Sequence, residues 1–172
     1  MNIINFEFKA KTHQLQEMEQ LLQQKNPQYI GEDNQVDTYF NVVKGRLKLR
    51  EGNIENALIY YDRVDAASAK QSDIILYKHS PDKALKHILT TVHGIKVVVA
   101  KRRKIYFIDN VKFHFDEVVG LGTFIEVEAI DNNGTSAIED LQNQCAYYAS
   151  FFKIQQSDYI QNSYSDLLLE KS

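Results

Sequence analysis

An α+β domain built on about eight mostly antiparallel strands is what this sequence predicts, and three observations lead there. Many short segments alternate apolar and polar residues with period two, which marks a strand buried on one face. A few others carry apolar residues at helical spacing. No stretch rich in Pro, Gly or Ser divides the chain, since Pro is 2 and Gly 7 of 172 residues, so one domain is expected over 1–172.

The elements follow in order. Residues 5–11, NFEFKAK, set Phe6, Phe8 and Ala10 against Asn5, Glu7, Lys9 and Lys11. Residues 12–24 read as a helix capped by Thr12, with Leu15, Met18, Leu21 and Leu22 as its apolar stripe. Asn26-Pro27 stops it. Four strands come next. Residues 30–42 set Val36, Thr38 and Phe40 against Gln35, Asp37 and Tyr39. Residues 45–52, GRLKLREG, set Leu47 and Leu49 against Arg46, Lys48 and Arg50. Residues 56–64 put Ile59, Tyr61 and Arg63 on one face, and 72–77 form a shorter strand.

A second helix starts at SPDKALKHIL, with Ser80 as its cap and Pro81 in its first turn, and ends at His93-Gly94. IKVVVAKRRKIYFI, 95–108, is a long strand rich in β-branched and aromatic residues. Asp109-Asn110 turns it into 111–120, and Gly120 and Gly122 mark the next turn, into TFIEVEAI. The last helix lies within 131–152, where Ser136 and Glu139 have capping-box spacing. Ile138, Leu141, Cys145, Tyr148 and Phe152 share its apolar face, so Cys145 reads as a core residue.

Composition narrows the function. Hydrophobic residues at 44% and charged residues at 25% describe a folded chain rather than a disordered one. A net charge of −3 argues against binding to nucleic acid through overall charge. The one cysteine excludes an intrachain disulfide and a thiolate-built zinc site, and suits a reducing compartment. The N-terminus carries Glu7 and no apolar run, so it does not read as a signal peptide. The longest apolar run, VVVA, is far too short for a membrane. A cytoplasmic protein with neither a nucleic acid nor a membrane partner is expected.

The polar faces of the strands carry the chemistry. One at a time, each is what the wet side of an antiparallel sheet shows. Together they segregate by sign. Arg46, Lys48 and Arg50 are consecutive cations on one face, and Lys101 and Arg103 share a phase with Val97 and Val99. Carboxylates gather elsewhere, at Glu7, Asp116, Glu126 and Glu128. A solvated face intersperses signs, because like neighbours repel. Strands that all turn charge to one side suit a closed barrel with a wet lumen, one wall basic and one acidic. Such a lumen suits a polyphosphate: Lys and Arg neutralise the chain, while carboxylates at i and i+2 hold Mg²⁺ or Mn²⁺ that bridges phosphate oxygens.

The ordered set NFEFK, QVDTYFNV, GRLKLREG, IYYDR, VVVAKRR, FHFDEVVGLGTFIEVEA and SYSDLLLEK resembles the CYTH superfamily, the triphosphate tunnel metalloenzymes, in its class IV adenylate cyclase-like and thiamine triphosphatase-like branch. The family signature is an N-terminal ExExK strand; Glu7 and Lys9 match it, and Asn5 stands at the first Glu. The resemblance implies an eight-stranded antiparallel β-barrel, the triphosphate tunnel, with helices packed outside. It implies that Lys9, Lys48, Arg50, Arg63, Lys101 and Arg103 hold the triphosphate; Lys11 and Arg46 join them by alternation. Glu126 and Glu128 are the main metal ligands it implies, with Glu7 and Asp116 supporting, and Glu126, Glu128 and Lys9 make up the catalytic set. The tail from about 155 would close one tunnel mouth or hang loose.

Three functions share this constellation. One is a Mg- or Mn-dependent triphosphatase acting on tripolyphosphate, thiamine triphosphate or ATP. Another is a class IV adenylate cyclase, which expels pyrophosphate from ATP. The third is a non-catalytic polyphosphate or nucleotide binder, favoured by Asn5 and opposed by the Glu126/Glu128 pair. Tyr39, Tyr60, Tyr61 and Tyr106 are candidates for stacking on a base, and His114 for proton transfer.

Overall fold

Period-two alternation makes strands only where partners are found, and here every strand has two. The computed structural model describes residues 2–62 and 70–172. The elements are β1 (Asn2–Lys11), α1 (Leu15–Gln23), β2 (Gln28–Phe40), β3 (Arg46–Glu51), β4 (Ala57–Asp62) and β5 (Lys70–Lys78), then α2 (Lys83–His93), β6 (Ile95–Ile108), β7 (Val111–Val118), β8 (Gly122–Asp131), α3 (Ile138–Phe151) and α4 (Tyr164–Lys171). The strands close in the order β1-β5-β4-β3-β2-β6-β7-β8, with β8 back on β1 and all pairs antiparallel. This is the expected eight-stranded barrel.

The larger of two apolar clusters lies outside the barrel wall. Phe6, Phe8 and Ala10 of β1 pack with Phe113 and Phe115 of β7 and with Ile125 and Val127 of β8. Leu22 of α1 and Leu141, Cys145 and Tyr148 of α3 cover them. The helices therefore bury the apolar face of β1, β7 and β8, and the charged face of NFEFKAK has only the interior left to face. A second cluster joins Tyr39, Ile59, Tyr61, Val99 and Phe124 with Tyr164 of α4, with Leu167 and Leu168 packed against it. The tail is a helix, capped by a reciprocal Ser163–Asp166 box, and its Tyr164 is buried.

Three helix starts differ from expectation, each because a nearby group takes the orphan donors. Thr12 does not cap α1; its hydroxyl accepts the N–H of Gln14 at 2.9 Å in a local turn, and Gln14 stands at the cap position. The cap of α2 is Asp82, which accepts the N–H of Ala84 at 2.8 Å, so the helix begins at Lys83 rather than directly after Ser80. Asp131 Oδ1 accepts from the N–H groups of Asn133, Thr135 and Ser136, so no Ser136 capping box forms and α3 begins at Ile138. Ile138, expected on the buried stripe, is 42% exposed at that first position.

Candidate functional site

Strand register sets the walls of the lumen. On β1 and β8, Glu7 pairs with Glu128 and Lys9 with Glu126. On β8 and β7, Glu126 pairs with His114 and Glu128 with Lys112. On β2 and β3, Asp37 pairs with Arg50 and Tyr39 with Lys48. These side chains line a cavity of about 450 Å³. Among the described residues, seven Lys or Arg and five Asp or Glu line it, so the surplus charge is positive and suits an anion.

The basic wall is organised around one carboxylate. Asp37 accepts Arg50 Nε at 2.9 Å and Arg50 Nη2 at 2.8 Å, and Lys101 Nζ at 2.8 Å. Lys48 Nζ stands 3.4 Å away. Burial drives Lys101 down to about 7; Asp37 opposes this, and Arg103, Arg50 and Lys48 add to it. Arg103, Arg50 and Lys48 thus crowd Lys101 with positive charge, which Asp37 offsets in part. Lys48 also sits 5.5 Å from the Tyr39 ring centroid and 5.4 Å from that of Tyr61.

The acidic wall carries the opposite excess. Burial pushes the Glu128 carboxyl up to about 7, and the Glu7 carboxylate facing it adds repulsion. Asn5 Nδ2 donates to Glu128 Oε1 at 2.6 Å, while Asn5 Oδ1 is buried without a hydrogen-bond partner. Between the walls, Arg103 makes a fork with Asp116 at 2.7 and 2.6 Å and reaches Glu126 Oε2 at 3.3 Å. His114 Nδ1 is 3.8 Å from Glu126 Oε2, beyond hydrogen-bonding reach, and burial holds the ring down at about 4.

The CYTH domain family model matches residues 4–164. The chain belongs to the CYTH domain family. Solved structures share the architecture. A Pyrococcus horikoshii OT3 protein is 21% identical with a TM-score of 0.80, covering 95% of this chain and 98% of that one. A Vibrio parahaemolyticus protein proposed to be an adenylate cyclase is 18% identical with a TM-score of 0.78, covering 96% and 98%. A Hippeastrum protein, a proposed adenylyl cyclase with a dominant triphosphatase activity, is 13% identical with a TM-score of 0.61, covering 98% and 95%. At these identities the likeness is one of fold. No curated protein matches the sequence. No helix of this CYTH domain is long and apolar enough to cross a membrane among the described residues.

Within the CYTH barrel, the residues expected at the site divide into three groups. Lys9, Lys48, Arg50, Lys101, Arg103, Glu7, Glu126 and Glu128 all line the cavity. Lys11, Arg46 and Asp116 do not. Lys11 lies 5.8 Å from the Phe124 ring, and Arg46 is paired to Asp166 of α4 at 2.7 Å. Asp116 was expected beside the metal, but it is wholly buried, engaged by Arg103 and by the Tyr164 hydroxyl at 2.8 Å. It holds the Arg103 guanidinium in place. Arg63 lies outside the described residues. Tyr39 and Tyr61 line the cavity, whereas the Tyr106 hydroxyl donates to Glu19 at 2.6 Å on the outside of the wall.

Asp37, Glu55, Lys112 and Tyr164 line the cavity without having been singled out for it. Lys112 shares the phase of His114 and Asp116, and Asp37 that of Tyr39, so alternation could have found both. Glu55 lies in a turn and Tyr164 in a helix, where no strand period applies.

Among the described residues no three His, Cys, Asp or Glu side chains are preassembled as a metal cage. The acidic wall nonetheless fits a hard divalent cation. Mg²⁺ is held by one or two carboxylates and completes its shell with phosphate oxygens and water. The crowding of Glu128 against Glu7 and the unpartnered Asn5 oxygen are what such an ion would relieve.

Proposed function

We propose that this protein binds a triphosphate-bearing small molecule in the barrel lumen and cleaves it by metal-assisted hydrolysis. One observation carries the reading: a basic wall with surplus charge faces an acidic wall with crowded carboxylates across one closed lumen. Neither wall suits a triphosphate alone. Carboxylates repel a bare polyphosphate, and a divalent ion would remove the conflict. Glu126 and Glu128 would hold Mg²⁺ or Mn²⁺, with Glu7 alongside, and the ion would supply charge neutralisation and a more acidic water.

Lys9, Lys48, Arg50, Lys101 and Arg103 take the phosphate oxygens and offset the charge that grows as the phosphoanhydride bond breaks. Asp37 and Asp116 aim the guanidinium forks of Arg50 and Arg103, which fixes the phosphates in line for attack.

The test is a product assay. Purified protein is incubated with tripolyphosphate and, separately, with ATP in Mg²⁺ or Mn²⁺, and phosphate, pyrophosphate and cyclic AMP are quantified. Phosphate release that falls by about a hundredfold or more in the Glu126→Gln, Glu128→Gln double variant is expected, because the variant removes the carboxylates that would hold the ion. Cyclic AMP with pyrophosphate would make the protein a cyclase. Binding without turnover would make it a binder, with Asn5 as the residue to restore to Glu.

A further inference from the structure

The end of the barrel away from α4 carries an ion pair that the phosphate-binding and metal-binding roles leave unused. Glu55 lies in the turn before β4, and Lys112 is near the start of β7; the two carry a salt bridge. Glu55 sits between β3 and β4, which stand three and four steps from β7 in the ring, so the pair reaches across the mouth rather than to a neighbouring strand. Glu55 Oε2 also accepts Arg50 Nη1 at 3.1 Å and Gln35 Nε2 at 3.0 Å. The line of cations from Lys101 through Arg50 thus ends on a resident carboxylate.

The turn is built to keep that carboxylate there. Buried Asp33 accepts the N–H of Ile54 at 3.0 Å and of Glu55 at 2.9 Å. Two glycines make room for it. A Cβ on Gly52 would lie 2.5 Å from Asp33 Oδ1, and one on Gly31, whose φ is +145°, 2.7 Å from Ile54 Cδ1. Lys112 and Arg50 hold the Glu55 carboxyl well below the usual range against the upward push of burial. The movable half of the pair is the long Lys112 side chain. A ligand entering by this mouth would displace Lys112 and leave Glu55 in place.

We propose that Glu55 is a chain-length stop, selecting a phosphate run that ends inside the lumen against one that continues out through the mouth. The inference rests on the triphosphate reading above and narrows its substrate class. The favoured ligands are short inorganic chains and triphosphates continued by a neutral or cationic organic group. A further phosphate at the mouth would meet a fixed like charge, which disfavours it. Pushing Glu55 aside would strip it of its partners. A neutral group meets neither obstacle.

The experiment measures dissociation constants for tripolyphosphate and for a long linear polyphosphate, counted per chain, in Mg²⁺ by calorimetry. The proteins are the full chain and its Glu55→Gln, Glu55→Lys and Lys112→Met variants. The wild type should prefer tripolyphosphate. That preference should fall about tenfold in Glu55→Gln, further in Glu55→Lys, and persist in Lys112→Met, which leaves the carboxylate in place. An unchanged preference in both Glu55 variants would overturn the stop. So would a loss in Lys112→Met as large as that in Glu55→Gln. A wild type that binds both chains equally overturns the stop and leaves the triphosphate reading standing, while one that binds neither removes both.

Discussion

Asp37 serves Arg50, Lys101 and Lys48 at once, and burial pushes Lys101 down toward neutral pH. An ordinary lysine keeps its proton to about 10.5, whereas this one releases it near 7. Between those values the unfolded chain holds more protons than the folded one, so this group's contribution to stability rises with pH across that window. An anion in the lumen restores the charge. Triphosphate binding at pH 8 should therefore take up a proton, read by calorimetry in buffers of different ionisation enthalpy, and Lys101→Met should abolish the uptake. Arg103 differs in kind, since its fork meets Asp116 at two points. Arg103→Lys keeps the charge and loses the second arm, so kcat/KM should drop roughly tenfold to a hundredfold, or about 1.5–3 kcal/mol. An unaffected variant would show that charge alone is needed there.

At the scale of elements, the turn between β3 and β4 does most to shape the mouth. It hangs on Asp33, which comes from β2. Gly52→Ala sets a methyl against that buried carboxylate, which must shift, and should destabilise the fold by about 1–3 kcal/mol in urea titration. A neutral result would mean that Asp33 moves freely and that the turn is less fixed than its hydrogen bonds indicate. At the other end of the barrel, α4 reaches β3 through Asp166 and Arg46, and the β7–β8 turn through Lys171 and the Gly120 carbonyl at 2.6 Å. Tyr164 puts its ring 4.0 Å from Lys9 Nζ and its hydroxyl on Asp116. The helix closest to the chain's C-terminus thereby touches two of the strands that carry phosphate-binding residues.

At the scale of the whole molecule, the larger apolar cluster is outside the barrel wall, while the interior holds the charges together with a second apolar cluster around Tyr164. Such an interior is least comfortable when empty, because each wall holds like charges close together. Ligand and metal together should therefore stabilise the fold strongly. At one hundred times Kd the gain is about 2.7 kcal/mol, which for a chain of this length raises Tm by roughly 5 to 11 °C in thermal unfolding. An equal rise without the divalent ion would show that the acidic wall takes no part in binding.

Much of this was legible along the chain, because a strand's alternation is local. NFEFKAK, GRLKLREG and TFIEVEAI each declare which side chains share a face, and the segregated signs of those faces pointed to a charged interior. The helix caps were less legible, since Ser80, Thr12 and Ser136 had competitors for the same backbone donors within a few residues. What only the tertiary structure decided is which faces meet. Register in the β6–β7 hairpin set Asp116 against Arg103, while closure of the ring set Glu7 opposite Glu128 and brought Glu55 across to Lys112. The last two pairings join residues far apart in sequence, and no local period records them.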